Sequence, residues 1–335
     1  ELEKYNEMKY ARGIAERYKT AHHEVLIDAH DAQRVISDLA FHEDEPNGDP
    51  VCIPLYFVSK LARDSGTIVV QVGEGSDEEF AGYPWLVRDI KMYDQYWSPL
   101  SHLPKALGKA AYTVSRPFIG HPLIREYLRR YSEHEELFWG GAQAFTEEHK
   151  RDLMARYDAE NSTYQYVREW HAQVYARYPK SEYTRRMMYL EFCQRLPELL
   201  LMRVDKISML TSIEARVPFL DHRMVEFAFR LPMEIKLGPN RVPKHILKKA
   251  AEGILPEEYI YRKKMGFAAP VNEWLKHELR PMMEQSFAGS RIIREQLNPA
   301  YVRGLVEEHA SGRRNNGQLL WSLFNLTLWE SRYLA

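Results

Sequence analysis

A chain of 335 residues, 45% of them hydrophobic and 28% charged, is long enough to bury a large core and has an ordinary globular composition. Its 46 Lys and Arg residues against 47 Asp and Glu residues leave a formal charge of −1, which gives no electrostatic reason to expect nucleic acid or an anionic membrane as a partner. The two cysteines, Cys52 and Cys193, are too few for a disulfide framework and lack metal-ligand spacing, which favours the reducing cytoplasm. No apolar run approaches the roughly 20 residues of a membrane span.

The first part of the chain predicts alternating helices and strands. Apolar residues at helical spacing predict a helix that ends near Tyr18, and the following pattern predicts a short strand over 22–27. Helices are predicted over 31–41 and 53–63. Residues 68–72 are mostly β-branched and apolar, which predicts a strand covered on both faces. This order is typical of part of a parallel sheet with crossover helices.

From about Tyr93 onward the pattern is helical. Residues 94–122 are rich in Pro, Gly and aromatic residues, which predicts an irregular lid or connector. Asp221 is predicted to cap the helix that follows it. Further helices are predicted over 123–131, 160–178, 183–210 and 318–333.

A glycine turn follows the predicted strand over 68–72. Gly73 and Gly75 permit backbone angles that side chains forbid. Ser76 is placed to cap the next helix, and Glu79 three residues later is placed to complete a capping box.

This arrangement places two carboxylates close to the end of the strand. Glu74 and Asp77 would lie at the carboxyl end of a strand, beside helix N–H groups that favour anions, where open α/β sheets bind their ligands. A single glycine motif is also compatible with a merely capped turn, so the local pattern leaves both interpretations open.

The run VGEGSDEEFAGY, which begins at Val72, resembles the SGEGSDELFGGY segment of the asparagine synthetase family, in its ATP-dependent synthetase domain. Further matches follow in order: RVDKISMLTSIEARVPFLDHRMVEFAFRLP from Arg203, KHIL from Lys244 with ILPEEY, YRKKMGF from Tyr261, and LWSLFNLTLWE near the end. The resemblance spans nearly the whole chain and is weakest over 89–180.

This resemblance implies an α/β fold that is predominantly helical. It would contain a partial parallel-sheet core of the adenine-nucleotide alpha-hydrolase (PP-loop ATPase) type and a large helical remainder. We therefore expect one synthetase domain over 1–335, with a partial α/β nucleotide-binding core over 1–92 and a mainly helical part over 93–335.

The resemblance also implies a reaction. Family members use ATP and Mg²⁺ to adenylate a carboxylate, usually that of aspartate, and ammonia from glutamine then displaces AMP to give the amide. The expected partners are these small molecules and a glutaminase domain, in the same chain or in trans. A homodimer is left open, and no nucleic acid or membrane is expected.

Family roles carry over to matching positions. Glu74 would be the catalytic carboxylate that binds ammonia and accepts a proton, and Lys264 would be the lysine aimed at the reaction centre. Asp77 would be a magnesium ligand. The substrate- or ATP-binding positions would be Val72, Gly73, Gly75 and Ser76. The open alternatives are that Glu74 is a solvated turn residue and that Lys264 is an exposed loop cation.

The chain departs from the family pattern in several places. Val72 replaces a serine, which leaves the identity of the acceptor open, and Glu79 replaces an aliphatic residue. No S-G-G-x-D-S pyrophosphate loop and no glutaminase domain occur in the sequence, so we expect a carboxy-terminal piece that is inactive alone. The open alternatives are an amide or lactam synthetase for another carboxylate, and a degenerate, non-catalytic scaffold.

Overall fold

A computed structural model describes residues 7–100, 104–119, 121–179 and 182–334. Within these ranges the chain is predominantly helical with a small parallel sheet, which confirms the coarse fold class. The assignment of that sheet to a PP-loop core and the division at residue 92 stay predictions. None of the helices in the described ranges is both long and apolar enough to cross a membrane.

The regular elements are numbered in chain order. They are α1 Met8–Tyr18, α2 Ala29–His42, α3 Cys52–Asp64, β1 Val69–Gln71, α4 Ser76–Glu79, α5 Pro84–Met92, α6 Ser98–Leu100, α7 Lys105–Ser115, α8 Pro122–Glu133, α9 Glu147–Leu153, α10 Thr163–Arg177, α11 Tyr183–Leu190, α12 Met202–Leu210, β2 Glu214–Arg216, α13 His222–Arg230, α14 Met233–Leu237, α15 His245–Ala251, α16 Glu257–Ile260, α17 Val271–Trp274, α18 Arg280–Gly289, α19 Arg291–Glu295, α20 Pro299–Ala310 and α21 Gly317–Tyr333. π-helical turns cover Tyr93–Trp97 and Glu191–Leu201, and 3₁₀ turns cover Arg116–Phe118 and Pro218–Leu220.

The chain forms two compact units. Unit 1 comprises residues 1–73, 199–218 and 251–335, and unit 2 comprises residues 74–198 and 219–250. The sheet lies in unit 1, and the glycine turn from Glu74 onward lies in unit 2.

The sheet of unit 1 consists of β1 and β2, which pair in parallel with Val70 opposite Ala215. The Val72 N–H continues the ladder by donating to the carbonyl oxygen of Arg216 at 2.9 Å. The expectation of a strand covered on both faces is wrong, because Ile68 is 61% exposed and Val69 is 41% exposed. Among the described residues β1 pairs with one strand, so its other edge has no strand partner in that set.

The predicted helices of unit 1 are confirmed as α2, α3 and α21. Asp28 begins α2 with a capping box, since its carboxylate accepts from the Asp31 N–H at 2.8 Å and its own N–H donates to Asp31 at 3.1 Å. The predicted strand over 22–27 is wrong. That segment is irregular, and the His22 ring lies 2.9 Å from Glu24, so a local polar contact replaces strand pairing.

In unit 2 the helices predicted over 123–131 and 160–178 are confirmed as α8 and α10. The region predicted over 183–210, whose residues 199–210 belong to unit 1, is helical throughout, as α11, a π-helical stretch and α12. Asp221 caps α13 as predicted, accepting from the Arg223 N–H at 3.0 Å.

The irregular lid predicted over 94–122 is wrong where the structure describes it, because it contains α7. The prolines of this region lie outside α7, and small residues inside it allow close packing on α8. A Cβ at Gly108 would already lie 3.1 Å from the Ser132 Cα.

A charged cluster is buried beside the end of α8. Arg129 donates to Glu135 at 2.6 and 2.7 Å and to Glu126 at 3.0 Å. Arg130 donates to the same Glu126 at 2.8 Å, and its guanidinium stacks 3.8 Å from the Trp139 ring centroid. All of these charged groups have partners, which is the condition for burying charge without a large penalty.

Candidate active site

The glycine turn begins α4 differently from the sequence-based expectation. Gly75 has φ +91° and occupies the N-cap position, so Ser76 is the first helical residue rather than the cap. The predicted capping box is therefore wrong. Because α4 has only 4 residues, its dipole is also much weaker than the expected helix would provide.

Instead of capping the helix, Ser76 contacts a lysine that is distant in sequence. Lys244 Nζ donates to Ser76 Oγ at 2.8 Å and lies 3.1 Å from Asp77 Oδ1. A hydroxyl, a carboxylate and an ammonium group thus meet on one side of the turn. Ser76 is buried, whereas Asp77 and Lys244 are partly exposed, so solvent-borne ligands reach the pair.

Gly82 makes this approach possible. A Cβ at this position would lie 2.8 Å from Asp77 Cγ and closer still to Asp77 Oδ1 and Lys244 Cε. The glycine therefore leaves the space in which the ion pair forms. Lys244 itself has φ +56°, a backbone conformation that L residues rarely adopt, so the chain holds this lysine in a costly conformation.

Glu74 lies in the same turn, immediately before Gly75, and is half-buried. A half-buried carboxylate remains accessible to a small donor such as ammonium while being partly shielded from water. Leu220 packs so tightly on Gly75 that a Cβ there would lie 3.0 Å from Leu220 Cγ and closer to Cδ2. This contact fixes the backbone that carries Glu74.

Behind the turn, Glu78 is buried in a hydrogen-bonded charged network. The Tyr83 hydroxyl donates to Glu78, and the Arg195 guanidinium lies 4.5 Å from the Tyr83 ring centroid. Arg195 also donates to Glu191 at 3.3 Å, and the Gly141 N–H donates to the same carboxylate. Burial raises the pKa of Glu191 to about 7 despite the nearby guanidinium.

The next residue, Glu79, is buried without such support. It is fully buried, and neither carboxylate oxygen has a hydrogen-bond partner among the described residues. Burial raises the pKa of Glu79 to about 7, with Lys236 opposing the shift. Lys236 is itself buried, and burial together with Arg185 lowers its pKa to about 8.

Three of the predicted site residues lie in unit 1. Val72 is half-buried and continues the β1 ladder, and Gly73 is exposed, with no atom within 4 Å of the position that a Cβ would take. Lys264 is exposed in the segment between α16 and α17. Glu74, Gly75, Ser76 and Asp77 lie in unit 2 and are brought together by the turn.

Comparison with known proteins agrees with the resemblance of the turn. The family model described as asparagine synthase matches residues 1–331. The chain belongs to the asparagine synthase family. It is 28% identical to "Asparagine synthetase (glutamine-hydrolyzing) 1" of Bacillus subtilis strain 168, over 99% of this chain and 51% of that relative. It is 29% identical to a "Putative asparagine synthetase (glutamine-hydrolyzing)" of Mycobacterium tuberculosis strain H37Rv, over 100% of this chain and 50% of that relative. The chain thus spans about half the length of these curated relatives.

The family implies ATP. Mg²⁺ stays a prediction, and the side chains of the turn allow a test of it. Nowhere in the described ranges do three His, Cys, Asp or Glu side chains cluster in a way that could hold a metal ion. Asp77 supplies one carboxylate, and its neighbour is the Lys244 ammonium. This donor set is too small to hold Mg²⁺ alone and fits an ion that arrives with phosphate oxygens as its other ligands.

Lys244 is the contact residue that sequence reasoning missed. It stands in the KHIL segment that matched the family, but nothing local in that segment marks it as a neighbour of Ser76. The sequence showed only that a lysine stands in a segment that matches the family. It did not show that this lysine contacts the glycine turn.

Proposed function

We propose that this chain is the synthetase part of a glutamine-dependent asparagine synthetase. A carboxylate oxygen of aspartate attacks the α-phosphorus of ATP and pyrophosphate leaves. Ammonia then attacks the activated carbonyl carbon, and AMP leaves with the carbon–oxygen electron pair. The observation that carries the proposal is the meeting of Ser76, Asp77 and Lys244 beside Glu74, in a chain that matches this family over 1–331.

Glu74 acts on the nitrogen nucleophile. Its carboxylate accepts hydrogen bonds from ammonium, and it takes the proton that the attacking nitrogen must lose. Its half-buried position in the turn suits this role, because a fully solvated carboxylate would hold the nucleophile less firmly.

Ser76, Asp77 and Lys244 act on the phosphates. The Lys244 ammonium and the Ser76 hydroxyl are donors 2.8 Å apart, so both reach one phosphate group. Asp77 would contribute a carboxylate to Mg²⁺ bound with the nucleotide, and that ion would supply neutralisation of phosphate charge. Lys244 then exchanges its contact with Asp77 for a contact with phosphate.

The unit 1 residues complete the assignment. Lys264 stabilises negative charge on the reacting phosphate and carbonyl oxygens. Val72 and Gly73 belong to the substrate- or nucleotide-binding backbone, together with Gly75. The strand β1 belongs to a PP-loop ATPase core over 1–92, and β2, from residues 214–216, pairs with it.

The partners follow from this chemistry. The ammonia comes from glutamine through a glutaminase domain, in the same chain or in trans, and the enzyme works in the cytoplasm, with a homodimer as one assembly open to it. Residues 1–335 alone do not complete the reaction, because they contain no S-G-G-x-D-S loop.

One departure from the family sequence favours an acceptor other than aspartate. Val72 replaces a serine of the family pattern and removes a hydroxyl that could face the substrate carboxylate. An amide or lactam synthetase acting on a less polar carboxylate is therefore the second candidate.

The test separates adenylation from amide formation in the full encoded protein. Aspartate-dependent exchange of pyrophosphate into ATP reports adenylation, and ammonium-dependent asparagine release reports the second step. We expect Glu74→Gln to keep the exchange and to lower amide formation by about 10²-fold or more. The matched control is Glu284→Gln, at an exposed position on α18.

Three outcomes contradict parts of the proposal. Unchanged amide formation in Glu74→Gln removes Glu74 as the base. Exchange with another carboxylate but not with aspartate selects the second candidate. No exchange with any carboxylate in the wild-type protein selects the non-catalytic scaffold.

A further inference from the structure

A large cavity lies within unit 2, away from the residues assigned above. It has a volume of about 930 Å³ and is lined by α10, α11, the following π-helical stretch and α13. Cavities of roughly 300–1,000 Å³ are the size that binds small molecules in proteins. The proposed reaction uses none of its lining residues, so the cavity has no assigned occupant.

The walls are mainly apolar and aromatic. Phe192 and Phe229 face the cavity as an edge-to-face pair with ring centroids 5.2 Å apart. Tyr178 and Val225 extend the apolar lining on either side. This surface favours an apolar body that water would otherwise solvate poorly.

The charged lining has a net positive character. Arg230 is paired with Glu226 at 3.3 Å, and this pair is neutral. Arg177 and Arg185 also line the cavity, and neither guanidinium group has a hydrogen bond or ion pair with any described residue. The remaining lining charge is that of Glu182, so two unpaired cations face one anion.

A further buried lysine lies close to this positively charged lining. Lys236 Nζ lies 5.3 Å from the ring centroid of Phe229, behind the cavity wall. Burial and the nearby Arg185 charge lower the pKa of Lys236 to about 8, so Lys236 remains mainly protonated at neutral pH, and a bound anion nearby would stabilise its charge.

We propose that this cavity binds an amphipathic monoanion. Its apolar body packs against Phe192 and Phe229, and its carboxylate pairs with Arg177 and Arg185. Guanidinium groups suit this role because their planar donors match a carboxylate in two hydrogen bonds. The site is separate from the proposed synthetase chemistry and does not depend on it.

Cys193 provides a reporter inside the cavity. It lines the wall and is half-buried, whereas Cys52 is 1% exposed. The full encoded protein is treated with a thiol reagent, and modification of the Cys193 peptide is followed by mass spectrometry. The probe is laurate, a twelve-carbon carboxylate, below its micelle-forming concentration. Dodecanol and dodecyltrimethylammonium are the matched neutral and cationic probes.

We expect laurate to slow Cys193 modification at least fivefold, and the neutral and cationic probes to slow it less than twofold. The double variant Arg177→Gln with Arg185→Gln should require at least tenfold more laurate for the same protection. The matched control is Arg168→Gln, which lies on α10 nine residues before Arg177 and so on the opposite helix face. All three arginines are exposed, so these substitutions leave the core unchanged.

Several results would overturn the proposal. Unslowed modification of Cys193 at every laurate concentration would exclude binding in the cavity. Equal protection by dodecanol would mean that the apolar walls bind without charge selection. Equal protection of the double variant and the wild type would remove the arginines from the site.

Discussion

Gly75→Ala should destabilise the protein for two separable reasons. Gly75 has φ +91°, where a Cβ is strained, and its Cβ position lies 3.0 Å from Leu220 Cγ and closer to Cδ2. The backbone strain costs roughly 1–2 kcal/mol. Forcing a methyl group against a packed leucine costs about 1–3 kcal/mol more. The free energy of unfolding should therefore fall by about 2–5 kcal/mol.

Alanine substitutions at two other glycines separate the backbone strain from the steric clash. Gly66 has φ +85° and no atom within 4 Å of its Cβ position, so Gly66→Ala carries the strain without the clash. Gly73 has neither feature, because its φ is outside the left-handed region and its Cβ position is open. We expect Gly66→Ala to cost about 1–2 kcal/mol. Gly73→Ala should be neutral, or stabilising by about 0.4–1 kcal/mol through the unfolded state.

The assay is urea unfolding of the three variants followed by far-ultraviolet circular dichroism, with midpoints compared at a common slope. The order expected is Gly75→Ala least stable, then Gly66→Ala, then Gly73→Ala. If Gly75→Ala is no less stable than Gly66→Ala, Leu220 does not press on the turn, and the account of how Glu74 is held is wrong.

Three further predictions rest on charged groups. Arg129→Ala leaves the buried Glu135 carboxylate unpaired and removes one of the two arginine partners of Glu126, so it should cost about 3–5 kcal/mol in urea unfolding. Arg280→Ala, which removes an exposed pair with Glu284, should cost under about 0.5 kcal/mol. Folding raises the pKa of Glu79 from 4.5 to about 7, so as the pH rises the carboxyl group ionises first in the unfolded state, which becomes favoured. Relative to Glu79→Gln, the wild type should therefore lose roughly 2 kcal/mol of stability between pH 4.5 and pH 7. A stability difference that stays constant over this range would contradict the prediction. In the full encoded protein, Lys244→Met should raise the KM for ATP about tenfold or more without changing the free energy of unfolding. An unchanged KM would remove Lys244 from the phosphate site.

Periodicity recovered the elements whose burial depends on their own pattern. The helices α2, α3, α10 and α21 each bury an apolar face, which is visible from spacing alone. The strand expected over 22–27 failed, because a short apolar run forms a strand only when a partner strand is available. The pairing of β1 with β2 joins residues about 145 positions apart, so the local sequence pattern does not predict it.

The candidate site was predictable to the extent that one turn carries it. Glu74, Gly75, Ser76 and Asp77 are consecutive, so the matched run by itself places them together. Lys244 was not predictable from the residues, since it reaches Ser76 across 168 positions. Its contact depends on Gly82, whose missing side chain is a requirement of space that sequence spacing cannot reveal.

The failed capping box shows why local chemistry at this turn misleads. Ser76 and Glu79 have the spacing of a box, which requires Ser76 to stand one position before the helix. Gly75 takes that position instead, in a backbone conformation held by Leu220 from a distant 3₁₀ turn. Because the helix therefore begins at Ser76, the Ser76 hydroxyl accepts a hydrogen bond from Lys244. Glu79 is left buried without a hydrogen bond from any described residue. A tertiary contact thus decides which residue begins the helix, and that choice converts a structural serine into a member of the proposed phosphate site.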